Sequence, residues 1–258
     1  MRPLARLLPA IAAALALWPG AASAQVTLFP APQGDGQELS VYSSLDDDLA
    51  APLVAAFQSR HPRVAVRYEN LLTTQLHDRI VAETQAGDGT ADFAFSSAMD
   101  LQVKLANDGF ARPVETPDTQ GWPGWANWRD TAYALTFEPA VFAYHKPSFA
   151  DHPPPATRAD LMRWMAEHPA EAQGRIGTYD VARSGVGYLF LARDQELYPG
   201  IWSVVQAMGR AGVQQFPTSA ELLERIADGR LAVGYNLLGS YAADWARRHP
   251  DLGVILPR

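Results

Sequence analysis

The sequence predicts an α/β protein of two lobes, each with a mostly parallel central sheet and helices on its faces, joined by hinge strands. Two observations predict this class. Short apolar runs that suit buried strands alternate with helical patterns over residues 39–109, and the alternation resumes over residues 175–256. Such alternation with short loops is typical of parallel βαβ units. A stretch rich in Pro, Gly and Trp, residues 113–130, separates the two halves.

The first half predicts three strand-and-helix pairs. Residues 39–43 suit a buried strand, and the helix that follows begins with three aspartates, which favour the positive end of a helix. His61-Pro62 ends this helix. The other elements, in order, are a strand at 64–68, a helix from 72 to about 87, a strand at 91–95 and a helix at 99–109. Residues 25–37 predict a leader strand or a loose arm.

The second half repeats the alternation. Residues 133–144 predict one long extended segment, interrupted at Glu138-Pro139, that carries the chain between the lobes. Thr157 and Thr218, each followed three residues later by an acid, predict capped helix starts. The predicted division of the chain is a signal peptide at 1–24, a first lobe at 25–132, a hinge crossover at 133–144, a second lobe at 145–250 and the start of a return strand at 251–258.

The N-terminus predicts a secretory signal peptide. Arg2 and Arg6 form a short basic region, an apolar stretch follows at 7–18, and Ala22-Ser23-Ala24 is a small-residue cleavage site. The apolar stretch is too short to span a bilayer, which disfavours an uncleaved anchor. No cysteine follows the cleavage site, so a lipoprotein anchor is excluded. We therefore expect cleavage after Ala24 and a periplasmic location.

Composition narrows the function classes further. Removal of Arg2 and Arg6 with the signal peptide takes the formal net charge of the 258-residue chain from −7 to −9. Such a chain repels nucleic acid and anionic membranes at long range. There are no cysteines, which excludes disulfides, thiol catalysis and thiolate metal sites. We expect a monomer with no cofactor and no membrane insertion after cleavage.

Four strand-to-helix corners carry small polar residues. In open α/β sheets, ligands bind outside the carboxyl ends of the strands, and a helix N-terminus there offers unpaired N–H groups to an anion. Corners from both halves would bind one ligand between the lobes. An arginine beside one corner would form an ion pair with an anionic ligand. The candidate ligand-binding residues are Ser43, Ser44, Ser96, Ser97, Arg183, Ser184, Gly185, Val186, Asn236, Ser240 and Tyr241.

Several alternatives stay open at these positions. A single serine at a helix start is better explained as a cap, and only the four equivalent corners together favour a shared site. Residues 46–48, all aspartate, suit a hard cation, although their place at a helix start explains them better. The six histidines show no metal-type pairing, and we expect no metal site. Motifs of hydrolases, kinases and metalloproteases are missing, so a hydrolase with a scattered serine site is the least favoured alternative.

Five segments together show a family resemblance. They are LSVYSSLDDDLAAPLVAAFQSRHPRVAVRYE, ADFAFSSAMDLQVKLANDGFARPV, FEPAVFAYHK, GRIGTYDVARSGVGYLF and ADGRLAVGYNLLGSYAADWA. In this combination the chain resembles the periplasmic substrate-binding proteins of ABC transporters, with the type II periplasmic-binding-protein fold, in the branch that binds ferric iron and organic anions. The resemblance spans nearly all of the chain after residue 24.

The resemblance favours an anion over iron. Iron-binding members place a histidine, a glutamate and two adjacent tyrosines at the ligand positions. Here Asp46 stands near the histidine position, Ser97 at the glutamate position, and Ser240-Tyr241 at the tyrosine pair, so only Tyr241 matches. The anion-binding helix start of the family is kept as Ser184-Gly185-Val186.

The resemblance also implies partners and a longer first lobe. A receptor of this kind delivers its ligand to an ABC transporter permease, while some members report instead to the ectodomain of a histidine kinase. Family members continue with a return strand and helices that complete the first lobe. The start of that return is expected at residues 251–258, which would leave the first lobe incomplete.

Overall fold

Two sheets organise the computed structural model, which describes residues 25–34 and 36–257. The predicted signal peptide at 1–24 and its cleavage site lie outside the described residues. Within them, no helix is long and apolar enough to cross a membrane.

The first sheet has four strands in the order β1-β3-β2-β4. β2 runs parallel to both β3 and β4, and β1 adds an antiparallel edge. The strands are β1 (Gln25–Phe29), β2 (Gln37–Ser43), β3 (Val64–Asn70) and β4 (Phe93–Phe95), and the helices between and after them are α1 (Asp47–Arg60), α2 (Thr73–Ala86) and α3 (Met99–Asn107). The predicted βαβ alternation is therefore confirmed, and the leader segment forms an edge strand.

A short antiparallel ribbon, β5 (Asn127–Trp128) with β6 (Ala132–Tyr133), separates the two sheets. The segment predicted to be extended at 133–144 is interrupted over a longer stretch than the expected break at Glu138-Pro139. Residues 134–139 form no regular element, because Pro139 lacks the N–H that a continuous ladder needs. The chain becomes a strand again only at β7 (Ala140–His145), which already belongs to the second sheet.

The second sheet is mixed and has the order β11-β7-β10-β8-β9. β8, β9 and β10 are parallel, whereas β7 and β11 run antiparallel to their neighbours. Its elements after β7 are α4 (Arg158–Glu167), α5 (Pro169–Ala172), β8 (Ile176–Tyr179), α6 (Gly185–Leu197), α7 (Ile201–Arg210), β9 (Gln214–Phe216), α8 (Ser219–Ala227), β10 (Val233–Leu238), α9 (Gly239–Arg248) and β11 (Leu252–Ile255).

The last strand differs from its expected role. Residues 251–258 were expected to begin a return to the first lobe, but β11 pairs with β7 at the edge of the second sheet. The pairing is favoured because Leu252 is fully buried against the core of the second lobe. Both sheets nevertheless have the α/β layering that the sequence predicted.

Side-chain caps start three helices of the second lobe. Thr157 Oγ1 accepts the N–H of Asp160 at 3.0 Å, and Thr218 Oγ1 accepts that of Glu221 at 3.2 Å. Ser184 Oγ caps α6 by accepting the N–H of Gly187 at 3.3 Å. Each cap satisfies one of the amides that a helix start leaves without a partner.

The larger cores lie on the two faces of the second sheet. One cluster contains Tyr179, Val186 and Tyr241, and the other contains Phe142, Phe149 and Trp164. The clusters of the first lobe have five buried members each, which makes that lobe the smaller source of apolar burial.

Truncation of a buried leucine in the second lobe should destabilise the protein more than truncation of an exposed one. Leu222 on α8 is fully buried, so Leu222→Ala should lower the free energy of unfolding by about 2–5 kcal/mol through lost burial and a residual cavity. Urea unfolding followed by circular dichroism measures the change. Leu197→Ala, at a side chain that is 71% exposed, is the control and should change stability by less than about 0.5 kcal/mol. Equal losses in both variants would contradict this account of the core.

Candidate functional site

One crevice runs between the two lobes. Its walls come from the starts of six helices: α1, α2 and α3 of the first lobe, and α6, α8 and α9 of the second. The lining residues are Ser44, Asp46, Asn70, Leu71, Leu72, Thr73, Ser97, Tyr179, Ser184, Val186, Pro217, Thr218, Ser219, Ala220, Leu238 and Tyr241. This inner crevice is narrow, with a cavity volume of about 50 Å³.

Parallel pairing builds the first-lobe wall. Ser43 of β2 is in register with Phe95 of β4, so the corners that follow these strands lie side by side. Ser44 Oγ accepts the N–H of Ser97 at 3.2 Å, and the N–H of Ser44 donates to the carbonyl of Phe95 at 3.1 Å. These bonds lock the two corners together at the carboxyl edge of the sheet.

A buried tyrosine organises the second-lobe wall. Tyr179 ends β8, and its hydroxyl accepts the N–H of Leu238 at 3.2 Å and lies 2.7 Å from Ser219 Oγ. Burial raises the pKa of Tyr179 to about 12, so it stays a neutral phenol. The starts of α8 and α9 are thereby fixed to the end of β8.

Three hydrogen bonds between described residues join the lobes across the crevice. The N–H of Gly185 donates to Thr73 Oγ1 at 2.7 Å, and Thr74 Oγ1 donates to the carbonyl of Arg183 at 2.8 Å. The N–H of Asp46 donates to the Tyr241 hydroxyl at 3.1 Å. The lobes therefore touch through the starts of their helices, and the crevice is closed at these points.

A wider, acidic cavity of about 400 Å³ adjoins the inner crevice. The two spaces share Asp46, Asn70, Ala220 and Tyr241. Asp47 and Asp48 add two more carboxylates to the wider part, which Arg248 also lines. One continuous site thus has an inner end rich in hydroxyl groups and an acidic outer end.

Two lining groups have perturbed pKa values. Burial raises the pKa of Asp46 above its ordinary value, although a hydrogen bond from Asn70 opposes the shift. Burial, and then the negative charge of Asp46, raise the pKa of Tyr241. In both groups, burial extends to higher pH the range over which the proton is kept.

A protein-family model identifies the family of this chain. Residues 52–258 match the model of the bacterial extracellular solute-binding proteins. The chain belongs to that family. The resemblance that the sequence showed to periplasmic binding proteins is therefore confirmed. No curated protein matches the chain significantly.

Solved structures agree with this membership. The substrate-binding protein of an ABC transporter from Agrobacterium tumefaciens is 60% identical, with a TM-score of 0.90 over 92% of this chain and 71% of that one. The periplasmic binding protein AfuA from Actinobacillus pleuropneumoniae, bound to fructose 6-phosphate, is 16% identical, with a TM-score of 0.70 over 86% and 69%. Iron-bound HitA from Pseudomonas aeruginosa is 15% identical, with a TM-score of 0.67 over 85% and 69%. The two distant structures support the fold, which is the type II binding-protein fold.

Five of the residues expected from the sequence line the crevice of this solute-binding protein: Ser44, Ser97, Ser184, Val186 and Tyr241. They come from both lobes, so the predicted convergence of strand-to-helix corners is present in the structure. Whether these residues hold a ligand stays a prediction.

Ser43 and Ser96 do not line the crevice. Each hydroxyl instead accepts a main-chain N–H two residues further on, Leu45 at 3.1 Å and Ala98 at 3.2 Å. The two serines shape the corners and leave the following residue to face the space between the lobes.

Arg183 and Gly185 also do not line the crevice. The Arg183 side chain is exposed, and only its carbonyl reaches the first lobe. Gly185 is in contact with the first lobe itself, because a Cβ there would lie 2.8 Å from Leu101 Cδ1 and 3.1 Å from the Ala98 methyl. The glycine permits close approach of the lobes and is not a free anion donor.

Asn236 and Ser240 lie elsewhere as well. Asn236 occupies a bulge of β10 with a φ of 57°, and its Nδ2 donates to Asp194 at 2.7 Å beneath the sheet. Arg158 and Tyr235 also donate to that buried carboxylate, which compensates its charge. Ser240 is exposed, and its N–H donates to Glu138 at 3.2 Å.

The sequence reasoning missed several lining residues. Thr73 follows β3 as the serine pairs follow β2 and β4, so its pattern was available but was not recognised. Thr218 and Ser219 were recognised only as a helix start, because β9 before them is three residues long. Tyr179 has the pattern of an ordinary buried strand residue.

The sequence spacing of the six histidines showed no metal-type pairing, but two of them meet in the structure. The ring centroids of His152 and His168 lie 4.3 Å apart, and Glu171 is hydrogen-bonded to both rings. The three residues meet because the chain turns back on itself between residues 152 and 168, a contact that sequence spacing does not show. They belong to the second lobe and do not line the crevice.

Replacement of Asp46 should change how stability depends on pH. Its pKa is raised in the folded state, so its favourable contribution is complete below the unfolded value of about 3.9 and is lost as pH rises through the folded value. Asp46→Asn should therefore be more stable than the parent at pH 7, with the difference vanishing near about pH 3. Urea unfolding at both pH values measures this. The exposed Asp88→Asn is the control, and an equal gain there would refute the assignment to burial.

Proposed function

We propose that this solute-binding protein captures a small organic anion between its lobes, in the periplasm, and delivers it to an ABC transporter. The observation that carries the proposal is the convergence of six helix starts on one crevice. Helix N-termini offer amide donors and a partial positive charge to an anion, and this effect is strongest where water is excluded.

Uncharged hydrogen-bond donors line the inner end of the proposed site. The inner lining contains hydroxyl groups from both lobes but no lysine, arginine or histidine among the described residues. An anion there would be held by main-chain amides and by the hydroxyls of Ser97, Ser184 and Thr218. Small side chains also leave the backbone open to close approach.

The outer end suits groups that donate hydrogen bonds. Asp46, Asp47 and Asp48 offer carboxylate oxygens, which accept hydrogen bonds from hydroxyl or amino groups. A ligand that spans both cavities would therefore have an anionic end and a hydroxyl- or amine-bearing end. Hydroxycarboxylates and sugar phosphates have this combination.

The relatives support transport of such a ligand. The Agrobacterium tumefaciens protein is named as part of an ABC transporter, and at 60% identity it favours transport over sensing by a histidine kinase. AfuA was solved with fructose 6-phosphate, which is an anion with several hydroxyl groups.

The residues that line the crevice give less support to ferric iron binding or to hydrolysis. For ferric iron, only Asp46 and Tyr241 offer carboxylate or phenol oxygens at the family's ligand positions, and Ser240 lies outside the crevice. For a hydrolase, Ser44 and Ser184 each accept a main-chain N–H, and the described lining includes no histidine to act as a base.

Closure of the lobes would accompany binding. The hinge of this closure would lie within residues 133–144, because residues 134–139 form neither helix nor strand. The three cross-lobe hydrogen bonds, and the contact of Gly185 with the first lobe, would form on closure.

The charge of the ligand can be tested at Ser97 with two isosteric variants. Isothermal titration against hydroxycarboxylates and sugar phosphates, with fructose 6-phosphate included, should identify a ligand. Ser97→Asp should then bind it at least about tenfold more weakly than Ser97→Asn, because a carboxylate about 4 Å from an anion repels it strongly where water is scarce. Equal affinities, or tighter binding by Ser97→Asp, would reject an anionic ligand. Binding of ferric iron with no binding of any anion in the panel would also overturn the proposal.

The size of residue 185 should control closure. Gly185→Val places a side chain within about 3 Å of Leu101 and Ala98, so the lobes should remain apart and the radius of gyration in small-angle X-ray scattering should increase. Gly209→Ala is the control, because a Cβ at Gly209 meets no atom within 4 Å. An unchanged radius of gyration in a folded Gly185→Val protein would show that the lobes do not close at this contact.

A further inference from the structure

We propose that His152, His168 and Glu171 form a zinc site on the second lobe, separate from the crevice. Their ligand atoms all lie within 4.8 Å of one another, so small shifts of the side chains would bring all three to one ion. This inference does not depend on the proposed function, because the site shares no residue with the crevice lining.

The distances fit a tetrahedral zinc ion. His152 Nε2 lies 3.1 Å from Glu171 Oε2, and His168 Nδ1 lies 3.1 Å from Glu171 Oε1. With zinc–ligand bonds of about 2.0–2.1 Å, tetrahedral geometry places ligand atoms about 3.3 Å apart. The existing contacts are therefore close to the separation that a bound ion requires.

Proline and aromatic packing hold the ligands in place. Each histidine is followed by a proline, and Pro153 begins a run of three that stiffens the loop. His168 ends α4 with its N–H bonded to the carbonyl of Trp164 at 2.8 Å, and Glu171 lies one turn later on α5. The His152 ring packs edge-on against Phe149 at 5.2 Å. Ligands fixed in this way lose little conformational freedom when an ion binds.

The donor set selects the kind of metal. Two imidazoles and one carboxylate suit zinc, whereas calcium and magnesium prefer all-oxygen sites. Glu171 is 44% exposed at its side chain, which leaves an entry path and a fourth position for water.

The proposed ion would join two segments of the second lobe. It would tie the loop at 152–155 to the corner between α4 and α5, on the core cluster that contains Phe149, Trp164 and Ala172. The crevice lies against the other cluster, with Tyr179, Val186 and Tyr241. Zinc at this place would stabilise the lobe without entering the ligand-binding site.

Zinc titration of the untagged, metal-free protein tests the proposal. One equivalent of Zn²⁺ should bind, and it should raise the melting temperature. His168→Gln and Glu171→Gln should each weaken binding at least about tenfold, since each removes one ligand. A cobalt-loaded sample should show the visible absorption bands of tetrahedral Co²⁺, and these bands should be lost in both variants.

His249→Gln is the matched control. His249 also ends a helix and precedes a proline, but its ring stacks on Trp245 and has no carboxylate partner among the described hydrogen bonds. This variant should retain the zinc affinity of the parent. No zinc binding by a folded parent protein, or equal affinity in His168→Gln and His249→Gln, would overturn the proposal and leave the three residues as a hydrogen-bonded cluster only.

Discussion

Parallel strand pairing is the constraint on which the crevice depends. β2 pairs in parallel with β3 and β4, and β8 pairs in parallel with β9 and β10, so the strand-to-helix corners of each sheet lie at one edge. The two edges face each other, which brings six helix starts into one space. Isolated helix starts would be ordinary capped ends. Their convergence is what makes a receptor for a charged ligand physically reasonable.

The crevice and the core of the second lobe are built from the same residues. Tyr179, Val186 and Tyr241 line the ligand space and also belong to a buried apolar cluster. Residues that serve both purposes hold the donor groups in fixed positions, so little ordering is needed when a ligand binds. Under the proposed function, the carboxylates of the acidic outer cavity would repel a second negative charge on the ligand and so limit which anions fit.

The second lobe contains two polar networks, one buried around Asp194 and one at the surface around Glu171. Asp194 is buried and receives hydrogen bonds from Arg158, Tyr235 and Asn236, which makes it a structural support beneath β10. Glu171 has two histidine partners at the surface, where an ion from solution can reach it. Accessibility and donor type, more than the number of hydrogen bonds, separate a structural cluster from a candidate metal site.

The sequence by itself determined the α/β class, the alternation of elements, the helix caps at Thr157 and Thr218 and the family. These features are local or periodic, and local chemistry specifies them. The tertiary structure decided the rest. Ser43 and Ser96 could not be distinguished from Ser44 and Ser97 by residue type, since only the turn geometry shows which hydroxyl faces the crevice. The pairing of β11 and the meeting of His152 with His168 join residues distant along the chain, and contacts of that kind are set by packing, which no local pattern records.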